Sequence, residues 1–368
     1  MIEVRAQAEE ATINYFSNTY QEARTKFLTA AKTADGNLEH YRNPYLGAEN
    51  EELYIDVATF NLPGAKSVLV VSSGTHGIEG FAGSAIQIGL LHEGITKNLP
   101  EGVGVLFCHA LNPYGFSHLR RFNENNVDLN RNFFDHSKPY PINEGYGELA
   151  WLIEPNSLSS WQDLKAKLVI AWYRVTKGKL WLQKAISQGQ FSHPGGIFFG
   201  GHTETWSNLT LQKIIERHLF HASQVVLIDI HTGLGEYGAA EVIAEVRPET
   251  PAYERMLKWW GNKVKIPLSG GSVSPPVRGS LKYGFTRLLP HTDVTAVSLE
   301  FGTSPLPDAL WALRAENYLH HHIGDEQLDA LAIKAELKRV FYPDQNNWRN
   351  KVWLQGSEIV LQALVNIR

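Results

Sequence analysis

Residues 67–94 read SVLVVSSGTHGIEGFAGSAIQIGLLHEG. Three textures follow one another in this stretch. SVLVV is β-branched and continuously apolar, the pattern of a strand covered on both faces. GTHGIEG then sets His76 and Glu79 among glycines, a loop able to turn sharply. GFAGSAIQIGLLHEG follows with helical periodicity. Strand, loop and helix in this order predict an α/β fold: a mixed, largely parallel central sheet flanked by helices.

Three more apolar segments extend the pattern, VGVLFCH at 103–109, VVLIDI at 225–230 and VTAVSL at 294–299. Residues 7–33 are expected to be helical, because Ile13, Phe16, Tyr20, Ala23, Phe27 and Ala30 recur at spacings of three and four. They head an N-terminal helical extension over 1–50. Residues 134–220 differ in composition, and Trp161, Leu164, Leu168, Trp172 and Val175 share one helical stripe there. A tryptophan-rich stretch can mark a sugar or membrane surface, but the reading taken is a helical insertion packed onto the body by its aromatics. With no internal repeat and no low-complexity linker, residues 1–368 read as a single domain carrying that insertion.

The chain has 368 residues, 43% apolar and 20% charged, with a formal net charge of −4. Such a balance gives no electrostatic footprint for nucleic acid or an anionic membrane. No apolar run of about 18 residues offers a spanning helix, and MIEVRAQAEEATINYF lacks the features of a signal peptide. The single cysteine, Cys108, leaves no intrachain disulfide and sits in an apolar stretch, where a buried, inert thiol is expected. These features favour a reducing compartment, the cytoplasm first, and assembly into an oligomer is compatible with them.

Polar residues now fall at the strand ends. His76 and Glu79 follow the first strand, residues 110–133 the second, His231 the third and Glu300 the fourth. Ligands of open α/β sheets bind outside the carboxyl ends of strands, so these groups converge on one edge. Taken alone, His-x-x-Glu suits a glycine turn as well as half of a metal site. A second histidine, His231, would complete a two-histidine, one-carboxylate set, the open coordination of catalytic zinc. Asp229 alternates with His231 on one strand face and could hydrogen-bond to it. Glu236, in the loop after His231, is a rival to Glu300 as a base. His193 and His202 lie near the glycines of HPGGIFFGGH, and VRGSLKYGFTR at 277–287 reads as a solvated basic loop that could also favour an acidic substrate.

In its ordered motifs the chain resembles the zinc carboxypeptidase superfamily, which includes carboxypeptidase A and the aspartoacylase and succinylglutamate desuccinylase branch. HGIE is similar to its His-x-x-Glu zinc motif, NPYGFSHLRRFNENNVDLNRNF to its asparagine-arginine segment, DIHTG to its third-ligand strand and SLEFGT to its catalytic-glutamate strand. HPGGIFFGG and WSNLTL resemble stretches of an uncharacterised bacterial carboxypeptidase-like subfamily. The resemblance implies one zinc per chain on His76, Glu79 and His231, and Glu300 as general base. It implies Arg121 polarising the scissile carbonyl, and Asn130 with Arg131 holding a substrate carboxylate. Tyr283 is its candidate for a mobile active-site tyrosine. Tyr114 replaces the usual aspartate of the Asn-Pro-Asp-Gly motif and Asn126 a common glycine. The interval from Arg131 to His231 is longer than in carboxypeptidase A.

The expected function is therefore zinc-dependent cleavage of an amide bond next to a free carboxylate, on a peptide or on a small N-acyl amino acid. A metal-free binding protein on a peptidase scaffold is the competing class. The concurrence of three apparent ligands, a base and the arginines weighs against it.

Overall fold

The computed structural model describes residues 12–267 and 277–367. Its strands are β1 (Asn37–Leu46), β2 (Glu52–Phe60), β3 (Ser67–Ser73), β4 (Val103–His109), β5 (Gln224–Tyr237), β6 (Ala240–Ala244), β7 (Val264–Lys265) and β8 (Asp293–Gly302). They form one sheet in the order β1-β2-β4-β3-β5-β8-β6-β7. The middle of the sheet, β4-β3-β5-β8, is parallel throughout. Antiparallel β2 and β6 flank it. The chain steps from β3 to β4 on one side, while β5 lies on the other, so the strand order reverses between β3 and β5. Such a reversal opens a crevice at the carboxyl ends of the two strands.

Every residue of β3 and β4 is buried, and alternate residues enter different cores. Leu69, Val71, Val105 and Phe107 join one core, whereas Val68, Val70, Leu106 and Cys108 join the other. That two-sided burial is why these strands read as continuous apolar runs. Each such aliphatic side chain contributes about 1.5–3 kcal/mol when removed from water. Burial also pushes the Cys108 thiol up to about 12, as suits an unreactive core residue.

The described helices that bear on the site are α1 (Tyr20–Thr33), α2 (Gly80–His92), α3 (Glu144–Ile153), α4 (Ser160–Thr176), α5 (Lys179–Ser187), α6 (Trp206–His218), α7 (Leu281–Leu288), α8 (Leu306–His321), α9 (Ala330–Phe341) and α10 (Asn346–Asn366). None is long and apolar enough to cross a membrane.

Two expectations change. The stretch expected as one helix is interrupted: residues 12–13 are helical, 14–19 form turns and bends, and a helix runs over Tyr20–Thr33; residues 7–11 lie outside the described residues. Thr19 caps it by accepting the Glu22 N–H at 3.1 Å, and the Glu22 carboxylate accepts the Asn18 N–H. Phe16, Tyr20, Ala23, Phe27 and Ala30 are buried as the spacing predicts. The rest of the expected 1–50 helical extension contains β1, an edge strand paired with β2.

The second concerns 134–220. α4 buries Ala166 and half-buries Val169, Ile170 and Tyr173 against the core. The Trp161–Leu164–Leu168–Trp172–Val175 stripe faces outward instead, with Trp161 73% and Val175 85% exposed. Helical spacing groups these residues on one face, but the smaller Ala166 face packs closer to the body.

Candidate metal centre

The GTHGIEG loop is shaped by close backbone contact. Gly74 adopts φ +71°, a left-handed conformation that glycine takes without strain. A Cβ on Gly77 would lie 2.0 Å from the Gly115 carbonyl carbon, so that position has room only for hydrogen. The Gly77 and Ile78 N–H groups donate to the Arg121 and Arg120 carbonyls at 3.2 and 2.8 Å. Asn112 secures the same junction: its side-chain amide donates to the Arg121 carbonyl, and its oxygen accepts the Gly115 N–H.

His76, Glu79 and His231 meet at this crevice, all buried, with one ligand atom from each within 4.8 Å of the others. His76 Nδ1 is 2.8 Å from Glu79 Oε1, and His231 Nδ1 is 3.0 Å from Glu79 Oε2. The two Nδ1 atoms are 3.1 Å apart. On the outer side, His231 Nε2 is 2.5 Å from Asp229 Oδ2, and His76 Nε2 is 3.3 Å from Asp128 Oδ1. Each imidazole thus turns one nitrogen to the cluster and the other to an aspartate, the orientation that suits metal-binding histidines. Asp229 also accepts the Thr75 hydroxyl at 2.7 Å. This donor set fits a metal ion.

Charge is concentrated here. Burial alone would raise the Asp128 carboxyl, but Arg121, Arg131 and His76 outweigh it and hold it well below the usual range. Burial would lower the His231 imidazole, yet Asp229 and Glu79 raise it to about 10. A cation bound at Nδ1 would displace that proton. Arg121 donates to Asp128 Oδ2 at 3.0 Å and to Glu79 Oε1 at 3.1 Å, and its Nη2 lies 2.7 Å from His76 Nε2. A guanidinium can only donate, so Arg121 and Asp128 make opposite demands on the protonation of His76 Nε2.

Glu300 stands in β8 directly opposite His231 in β5. Both strands run on past these residues, so each lies within its strand rather than just beyond it. Glu300 accepts the Leu234 N–H at 3.0 Å. Burial, reinforced by the Glu79 charge, raises its carboxyl to about 7. Arg131 is buried as well: burial lowers it to about 10, its Nη2 donates to the Ser187 carbonyl at 2.5 Å, and its Nε has no partner. Asn130 uses its side-chain oxygen to accept the Leu281 N–H at 2.9 Å, which leaves its NH2 group as a donor. His76, Glu79, Arg121, Asn130, Arg131, His231 and Glu300 line one cavity of about 420 Å³, which Ile170, Leu182 and Ile186 of α4 and α5 also line.

A family model described as "Protein of unknown function (DUF2817)" matches residues 16–355. The chain belongs to this family. No curated protein matches it. Among solved structures, the chain is similar to carboxypeptidase A from Helicoverpa armigera at 14% identity, over 87% of this chain and 73% of that one, with a TM-score of 0.45. It is similar to bovine thrombin-activatable fibrinolysis inhibitor, solved with a tick carboxypeptidase inhibitor, at 12% identity over 96% and 99% of the two chains, with a TM-score of 0.45. Succinylglutamate desuccinylase from Chromobacterium violaceum aligns at 16% identity over 87% and 74%, with a TM-score of 0.36.

Tyr283 does not join the group. It is 46% exposed on α7 and does not line the cavity, where no described tyrosine stands. One step of about 100° around the helix puts its neighbour Lys282 inside instead, so 277–287 is not simply a solvated loop. Glu236 is exposed and outside the cavity. His193 is 3.6 Å from Glu154, and His202 contacts the Phe191 carbonyl; neither lines the cavity. Asn126 takes the left-handed φ of +58° expected where glycine is common, and its side chain adds links. It accepts from Arg120 and donates to the Pro194 and Gly196 carbonyls. Sequence reading passed over Asp128; its signal was an aspartate inside VDLNRN, two residues before Asn130.

Proposed function

We propose that this cavity is the active site of a zinc-dependent hydrolase that cleaves an amide bond beside a free carboxylate, in a carboxypeptidase-type reaction. The observation that carries the reading is one cavity lined together by a metal-ligand triad, a buried glutamate and an Asn–Arg pair. Zinc would be held by His76, Glu79 and His231, and supplies Lewis acidity that polarises a carbonyl and makes water nucleophilic near neutral pH. Glu300, with its raised pKa, accepts the proton of the attacking water and passes it to the leaving nitrogen. Arg121 offers donors to the oxyanion. Asn130 and Arg131 hold the substrate carboxylate. A second reading, deacylation of small N-acyl amino acids, uses the same residues. It draws on Ile170, Leu182 and Ile186 of α4 and α5, which line the same cavity.

Metal analysis of the purified chain, with a mass-spectrometric screen of peptides and N-acyl amino acids, tests the proposal. The expected result is about one zinc per chain, lost in His76→Ala, with release of a terminal or deacylated amino acid. A wild-type chain that binds no zinc when it is supplied overturns the reading.

A further inference from the structure

Lys282 lies on α7 and lines the proposed active-site cavity, yet it is only 6% exposed. Its Nζ donates to Ser298 Oγ at 2.6 Å and lies 3.4 Å from Glu245 Oε1. Ser298 precedes Glu300 by two residues on β8 and so shares its face of the sheet. Glu245, at the end of β6, also accepts the Ser280 hydroxyl at 2.6 Å. A buried ammonium is costly unless it is paired and its donors are used. Serine brings no charge, the Glu245 contact is long, and an ammonium has three donors for these two neighbours. From α4 and α5, exposed Arg174 and Lys179 add further positive charge to the cavity lining.

We propose that Lys282 is a specificity-determining residue that receives the side-chain carboxylate of the residue whose α-carboxylate rests on Asn130 and Arg131. The substrate class is then a peptide or N-acyl compound ending in glutamate or aspartate. This rests on the hydrolase reading above. A neutral floor would suit an apolar terminal residue. A lone glutamate would suit a basic one. Lys282 sits beside Glu245, but the cavity lining as a whole sets Arg121, Arg131, Arg174, Lys179 and Lys282 against Glu79, Glu245 and Glu300, a cationic balance.

The test compares zinc-loaded wild type with Lys282→Met, which keeps the length of the stem and removes the charge. Probes are benzoyl-glycyl substrates ending in glutamate, glutamine, leucine or lysine. In parallel, calorimetry titrates free glutamate and free leucine into both proteins. Wild type should favour glutamate over leucine by about tenfold or more in kcat/KM, and Lys282→Met should lose about tenfold to a hundredfold on glutamate alone. Leucine turnover and zinc content should stay within about threefold. Equal loss on all four substrates, or a wild-type preference for leucine, glutamine or lysine, overturns the proposal. If zinc-loaded wild type hydrolyses none of them, the reading of the reaction fails. The titration still decides on Lys282: glutamate binding that weakens in Lys282→Met supports its role, and unchanged binding overturns it.

Discussion

The two walls of the cavity are built differently. The sheet wall carries His76, Glu79, Arg121, His231 and Glu300, each under 10% exposed and each tied to a named partner. To the same cavity α4 and α5 contribute Ile170, Leu182 and Ile186, while another face of α4 leaves Trp161 and Trp172 to solvent. On the first wall, position is over-determined by hydrogen bonds between buried charges. On the second, aliphatic side chains stand beside the exposed cations Arg174 and Lys179. Under the proposed function the reacting groups belong to the sheet side, and substitutions among the aliphatic residues of α4 and α5 should leave metal binding untouched.

The largest effect should come from Glu300→Gln. Turnover should fall by about 10²- to 10⁴-fold with zinc retained, as judged by kinetics beside metal analysis; retained activity would remove the base from this wall. Next comes Asp229→Asn, which removes the carboxylate behind His231 and should weaken metal binding by about 10–100-fold. Competition with a chelator measures that. Ile170→Ala on the helical wall should change the preference among substrates by about tenfold and leave metal affinity unchanged. A shift in metal affinity would merge the two walls into one cooperative unit. Smallest of all, Trp172→Ser should alter the denaturant midpoint by the equivalent of about 0.5 kcal/mol or less. A much larger loss would mean that the stripe is covered in solution.

The same contrast governs what the sequence made legible. The central strands were readable because β3, β4, β5 and β8 are buried on both faces and so form continuous apolar runs, which grouped His76, Glu79, His231 and Glu300, although β5 and β8 run on past the last two. β1 was not, since it is a mostly exposed edge strand, NLEHYRNPYL, with no apolar alternation, and in the largely buried β2, ELYIDVATF, Asp56 interrupts the apolar run. Periodicity gathered Trp161 to Val175 on one face correctly, but it carries no information about what covers a face. Tyr283 and Lys282 show the limit at single-residue scale. Adjacent positions on α7 point in different directions, and only the packing of α7 against β8 selects which one enters the cavity. Asp128 went unnoticed because its partners, Arg121 and His76, are set by a tertiary contact with the GTHGIEG loop.

His76 and His231 are 155 residues apart along the chain, although their Nδ1 atoms are 3.1 Å apart. During synthesis the chain produces only His76 and Glu79 early, a pair with little hold on an ion by itself. β4, the whole 134–220 segment and β5 must be made before the third ligand can dock beside β3. Closing so long a loop is among the later events of folding, and metal affinity arrives with it. Under the proposed function, a nascent or misfolded chain is harmless to the amide bonds around it. The reagent is acquired only when the fold is complete.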